Sequence, residues 1–365
     1  MRYLCILVAL LCLAFSGVPK ASGQPIDQPQ AQEYLEGRVQ EVVEDARDKI
    51  NGTTTINQKL QVYIDKGGAD TQGKTLTVLN GGFLSPITKI FKVGDEVIVS
   101  GIQQNEKTEY FIVDYQRRKA LMLMVAAFVG LTILIARWKG VASFLGMIYS
   151  FFVIIKFVLP QILSGQNPIV TAVIAAIMII PVTFYVSHGF NRKTHVAISG
   201  TLVTLTLTSI ISSLCIEFTK LSGFATEDAT FLQLSAVNPI NMKGLLMAGI
   251  IVGLLGILDD ITISQAAIVE KLRQASPSLS PHELFTRAMD VGKDHIGSVI
   301  NTLILVYAGA ALPFMLLFFA TPQSFATFVN FEMIAEEVVR TITASMGLVL
   351  AVPITTFFAA FKFKK

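Results

Sequence analysis

The chain has 365 residues, of which 52% are hydrophobic and only 15% charged, and its formal net charge is +3. With a mean hydropathy of +0.60, that balance excludes an ordinary soluble globule, and several apolar runs of bilayer-spanning length point to an integral membrane protein. So small a charge, with no basic cluster outside the membrane-flanking loops, argues against nucleic-acid binding.

Residues 1–23 read as a secretory signal peptide: Arg2 supplies the positive start, Tyr3 to Val18 the apolar core, and Ala21-Ser22-Gly23 a small-residue cleavage site. An uncleaved anchor helix is the alternative, and either way residues 24–118 are expected outside the cytoplasm. Cys5 and Cys12 lie in this signal, so its removal leaves Cys215 alone and an intrachain disulfide impossible. Residues 24–118 are polar and rich in turn signals, at Asn51-Gly52, Gly67-Gly68, Asn80-Gly81-Gly82 and Gly94-Asp95. Between them run Leu60–Ile64, Leu76–Leu79, Glu96–Ser100 and Tyr110–Val113, alternating or β-branched. Period-two spacing with frequent turns predicts a small mostly-β domain, an OB- or SH3-like barrel.

From Lys119 onward the sequence predicts an α-helical polytopic membrane domain with about seven transmembrane helices, near 119–136, 141–163, 168–188, 196–215, 244–265, 296–319 and 341–361. With the β domain outside, Arg137, Lys139, Arg192, Lys193, Lys271, Arg273, Arg287, Lys293, Lys362, Lys364 and Lys365 all fall on the cytoplasmic side. The outer loops carry Glu217, Glu227, Asp228, Glu332, Glu336 and Glu337, which is the positive-inside pattern of a cell-membrane protein with a cytoplasmic C-terminus. Arg117, Arg118 and Lys119 run against it, flanking the first span on its outer side. The cytoplasmic loop 266–295 contains the capping box Ser280-Pro281-His282-Glu283, followed by apolar residues at helical spacing. An amphipathic helix is expected there, lying on the membrane surface or packed on the inner ends of the bundle.

Charged residues are rare in hydrocarbon, where an ionised Asp costs roughly 2.5–3.5 kcal/mol. Asp259 and Asp260 interrupt the fifth span about six residues, roughly 9 Å, from its inner end. A sheltered carboxylate beside another carboxylate is suited to reversible protonation; full solvation at the interface is the other reading. Gly249, Gly253 and Gly256 precede the pair at spacings that would let another helix approach. Asn301 and Thr302 of the antiparallel sixth span fall at similar depth and can serve as partners, with Tyr307 deeper. Glu336, Glu337 and Arg340 precede the last span, where Glu337 and Arg340 could gate an outer opening or merely mark the membrane boundary. Lys156 is expected to snorkel outward, and His188 and His195 to be isolated interface histidines.

Three blocks resemble the YibE/F family of multipass bacterial membrane proteins. They are Gly253-Leu-Leu-Gly-Ile-Leu-Asp-Asp-Ile-Thr-Ile-Ser-Gln, Gly292-Lys-Asp-His-Ile-Gly-Ser-Val-Ile-Asn-Thr with the run to Pro313, and Glu337-Val-Val-Arg with the run to Pro353. The resemblance covers most of 119–365 and implies the membrane fold without a particular activity. Members of that family commonly carry one Asp followed by a small apolar residue where this chain has Asp259-Asp260. The layout of the site is more weakly similar to resistance-nodulation-division exporters and Sec accessory proteins, whose membrane Asp residues carry protons.

These readings favour a proton- or ion-coupled permease whose coupling site is Asp259, Asp260, Asn301, Thr302 and Tyr307. The competing function is a membrane scaffold or accessory subunit whose β domain binds a partner outside the cytoplasm. Expected partners are the lipid bilayer, a small solute or ion, and a membrane protein. No Gly-rich phosphate loop, zinc motif or Ser-His-Asp arrangement is present, so no enzyme, metal or cofactor is predicted. Adjacent Asp residues on one helix also cannot both address one scissile bond.

Overall fold

The computed structural model describes residues 34–50, 53–81, 89–104, 107–322 and 324–362. The expected signal with Cys5 and Cys12, the Asn51-Gly52 turn, Gly82, Lys364 and Lys365 lie outside the described residues. The chain divides into two compact units that part between Ile135 and Ala136.

Among its described residues the first unit contains five strands, β1 (Tyr34–Ile50), β2 (Thr53–Lys66), β3 (Thr75–Asn80), β4 (Glu96–Gln104) and β5 (Lys107–Tyr115). They close a barrel in the order β1-β2-β3-β5-β4, with β3 and β5 parallel and the other pairs antiparallel. Of the two expected barrel types this order is the OB-like one. Alternation sends Leu60, Val62 and Ile64 of β2 and Val97 and Val99 of β4 into one core with Leu35, Val39 and Val78. At one end of that core Gln58 is buried, its Oε1 accepting from Asn80 Nδ2 and the Phe91 backbone N–H, both at 2.9 Å. Gly37 allows β1 and β2 to close, since a Cβ there would stand 2.5 Å from the Tyr63 carbonyl.

Helix α1 (Arg118–Ala136) completes this unit and has no buried residue, as an apolar helix surrounded by lipid would. Its basic start is engaged by the barrel. Arg117 makes two 2.8 Å bonds to Asp114, Arg118 pairs with Glu36, and Lys119 lies 2.5 Å from Glu96. The Arg117 guanidinium, helped by Lys89, holds the Asp114 carboxyl well below the usual carboxylate range, and Lys119 lowers Glu96 in the same sense.

The second unit is helical. α2 (Trp138–Val153) widens into a π turn (Ile154–Val158) and continues as α3 (Leu159–Leu163). Pro160 has no N–H to return to the preceding turn, and the Leu159 N–H bonds back to the Ile154 carbonyl instead. Then follow α4 (Pro168–His188), α5 (Arg192–Phe218), α6 (Glu227–Ser235), α7 (Met242–Ala275), α8 (Pro281–Ala310), α9 (Leu312–Ala320), α10 (Phe325–Phe328) and α11 (Glu332–Lys362). Among the described residues six helices, α1 and α2–α3 among them, are long and apolar enough to cross a membrane; α8 and α9, bent 59° to each other, make a seventh if they form one span. Pro313 at the start of α9 accounts for the break after Ala310.

Residues 266–295 are not a loop. α7 runs on to Ala275, a five-residue turn follows, and the capping box at Ser280 starts α8, which continues unbroken into the sixth apolar stretch. Leu284, Ala288 and Gly292 are buried, so this segment packs on the bundle rather than lying free on a surface. Gln265 fastens it there, donating to the Ala288 carbonyl at 3.0 Å and to Thr356 Oγ1 of α11 at 2.7 Å.

Small residues do bring helices together, although not the expected ones. A Cβ on Gly347 of α11 would meet Thr208 Oγ1 of α5 at 2.7 Å, and one on Gly292 would meet Val352 at 2.5 Å. Gly249, Gly253 and Gly256 have nothing within 4 Å of a built Cβ, so the close approach expected on that face of α7 is absent among the described residues.

Candidate functional site

Asp259 stands at the middle of α7 and is partly buried, while Asp260 is exposed. Successive helical residues point about 100° apart, so the two carboxylates leave α7 on different faces. Asp259 lines a cavity of about 380 Å³ between α2, α4 and α7. Its Oδ1 is shielded from solvent and has no hydrogen-bond partner among the described residues.

The polar side chains facing that carboxylate come from two apolar helices. α2 supplies Ser143 and Ser150, and α4 supplies Thr183, Ser187 and His188. Gly146, between the two serines, packs against α4, where a Cβ would be in ordinary contact 3.5 Å from the Thr183 backbone. Three of the hydroxyls spend their protons on their own helices. Ser143 donates to the Lys139 carbonyl, Ser150 to that of Gly146 and Thr183 to that of Ile179, at 3.0–3.1 Å. What these three oxygens have left is lone pairs, while Ser187 and His188 can still donate. A carboxylate among acceptor oxygens suits a proton or a small cation and disfavours an anion. No cluster of three or more His, Cys, Asp or Glu side chains able to hold a metal ion occurs among the described residues.

Asn301 and Thr302 are exposed on α8, and Thr302 Oγ1 donates to the Ser298 carbonyl of its own helix. No hydrogen bond among the described residues joins either to Asp259 or Asp260. Tyr307 is half-buried and packs against the helical core. Depth along the antiparallel helices matched these residues to the aspartates, but α8 turns its Leu284-Ala288-Gly292 face to the bundle while Asp259 faces α2 and α4. Arg340 bonds Glu336 at 2.8 Å and lies 3.8 Å from Glu337, all within α11. Lys156 is exposed, in the π turn. His195 is not isolated: its Nδ1 is 2.7 Å from the Tyr185 hydroxyl, and Tyr185 stacks on Phe190. The sequence did not single out Ser143, Ser150, Thr183 and Ser187, and His188, expected to be an isolated interface histidine, lines the cavity with them. Their signal was present as polar residues at i, i+7 in α2 and i, i+4 in α4.

Residues 124–365 match the family described as YibE/F-like protein, which is well over half of the chain. The chain belongs to the YibE/F-like family. The matched stretch starts inside α1 and takes in every helix of the cavity, while the barrel lies ahead of it. No curated protein and no solved structure matched the chain. Family membership and the apolar helices together make this a membrane protein.

Proposed function

We propose that the protein is a proton- or cation-coupled permease of the bacterial cell membrane, with Asp259 as the group that takes up and releases the coupling ion. The observation that carries this reading is the unpartnered, solvent-shielded Asp259 Oδ1 at a largely apolar cavity edged with hydroxyl groups. A permanently ionised carboxylate would be costly there, and binding a proton or cation offsets that cost. Neutralising the site would change the packing of α7 against α2 and α4 and so open alternate sides. The flanking π turn and Pro181 inside α4 supply places where those helices can adjust. Asp260, Asn301, Thr302 and Tyr307 would act around this site rather than in it, and the Glu337–Arg340 contact would gate its outer end.

In this reading the barrel is outside the cytoplasm and the C-terminus inside. Arg117, Arg118 and Lys119, paired with Asp114, Glu36 and Glu96, run against the positive-inside pattern, which a translocated domain of this length overrides. The test is proton flux into proteoliposomes that report internal pH, with sodium present or absent. Asp259→Asn should abolish coupled flux and Asp260→Asn leave at least about half; equal flux in wild type and Asp259→Asn removes the proposal.

One observation favours a second reading, a scaffold or accessory subunit. The open Gly249-Gly253 face of α7 could receive a helix of a membrane partner. A stoichiometric partner whose capture needs the barrel, in a protein without ion flux, would support it.

A further inference from the structure

A second cavity, of about 480 Å³, lies where α9, α10 and the start of α11 meet the 224–225 loop. That volume is in the range of small-molecule sites, roughly 300–1,000 Å³. Its walls are aromatic: Phe224, Phe314, Phe318, Phe328 and Phe331 surround it, with Phe318 stacked on Phe328 at 4.2 Å between centroids. The one acid in the lining is Glu332. Its Oε1 accepts from the Ser222 N–H at 2.6 Å, the Ser222 hydroxyl at 2.7 Å and the Gly223 N–H at 3.0 Å, which fixes the carboxylate at the cavity wall. No lysine or arginine pairs with Glu332 among the described residues, so its bonds to Ser222 and Gly223 hold the carboxylate without cancelling its charge. Arg340, the nearest base on α11, is taken by Glu336.

A fixed, unneutralised negative charge beside the faces of several phenyl rings is the arrangement that recognises organic cations. The ring quadrupoles attract positive charge, and the apolar walls reward a ligand with a hydrophobic body. We propose that this pocket binds a lipophilic organic cation, an alkyl- or arylammonium or its phosphonium analogue, with Glu332 as counter-charge. The pocket shares no residue with the Asp259 cavity, so the site stands or falls independently of the permease reading. A free solute and the ammonium headgroup of a lipid present the same chemistry to it.

The experiment is equilibrium binding of labelled tetraphenylphosphonium and tetraphenylborate, two ions of one shape and opposite charge, to the full chain in phosphatidylglycerol nanodiscs. The expected result is saturable binding of the cation at one site per chain and no saturable binding of the anion. Glu332→Gln, whose amide oxygen can keep the Ser222 and Gly223 bonds, should raise the cation's Kd about tenfold or more, and Phe318→Leu should raise it several-fold. Repeating the measurement in phosphatidylcholine nanodiscs separates the sources: competition assigns the resident cation to a lipid headgroup, and an unchanged Kd assigns it to a free solute. Equal binding of both ions, or a cation Kd unchanged by Glu332→Gln in a folded variant, overturns the proposal.

Discussion

The turn of about 100° between successive helical residues sends Asp259 into the cavity between α2, α4 and α7 and leaves Asp260 exposed. The rarity of charge in an apolar run made the pair conspicuous in the sequence, but the run could not say which acid was sheltered or what it faced. Helical depth is readable from residue counts. The azimuth of α8 is not, because it depends on which stripe of α8 packs on α7 and α11, and so Asn301 and Thr302 were matched to the aspartates by depth alone. If the cavity hydroxyls help hold the ion, Thr183→Val should weaken the apparent affinity for the driving ion about tenfold, the scale of one lost bond to a charged group, with the folded yield unchanged. Flux measured against ion concentration checks this. In the barrel, Gln58→Ala strips the Phe91 N–H and Asn80 of their buried acceptor. The loss should be about 1–3 kcal/mol of local stability, read as faster amide exchange across β2 and β3 with no change in the helical unit.

Elements with a clean period were legible. β2 to β5 lie on the alternating runs, and the capping box placed the start of α8 at Pro281. β1 was not recognisable as a strand, because its second half carries Glu41, Glu44, Asp45, Arg47 and Asp48 and loses all apolar alternation. The helical hairpin of α7 and α8 was hidden for a related reason: its polar ends read as a loop, although Gln265, Leu284 and Ala288 make it part of the bundle. Glycine stripes misled most, since spacing alone does not distinguish a glycine under a helix from one facing lipid. Two substitutions separate these cases. Gly347→Ala forces a methyl against Thr208 and should destabilise the α5–α11 contact by about 1–3 kcal/mol, seen as a lower melting temperature in detergent. Gly253→Ala meets open space and should leave melting unchanged or slightly raised. A large loss from Gly253→Ala would reveal a partner helix on that face and favour the scaffold reading.

At the scale of the whole molecule the proposed orientation makes the barrel and the α7–α8 turn report from opposite sides of the membrane. In a background lacking Cys5, Cys12 and Cys215, a cysteine at Lys74 should react with an impermeant maleimide in intact cells. One at Ser278 should react only after lysis; the reverse pattern inverts the topology. Acid should also act on the barrel through Asp114, whose carboxyl is held low by Arg117 and Lys89. The folded state binds this proton more weakly than the unfolded one. The pair therefore stabilises the barrel above the ordinary Asp value of about 4, and that contribution is lost as the pH falls below it. Asp114→Asn should flatten this acid limb, followed by amide exchange in β5. Coupling at this site requires that a proton or cation reach Asp259 in the assembled bundle. Infrared difference spectroscopy of the reconstituted protein across a pH step tests this most directly. The predicted result is a carboxylic C=O band that titrates, is lost in Asp259→Asn and is retained in Asp260→Asn. A spectrum whose titrating carboxyl bands are the same in wild type and Asp259→Asn would contradict it.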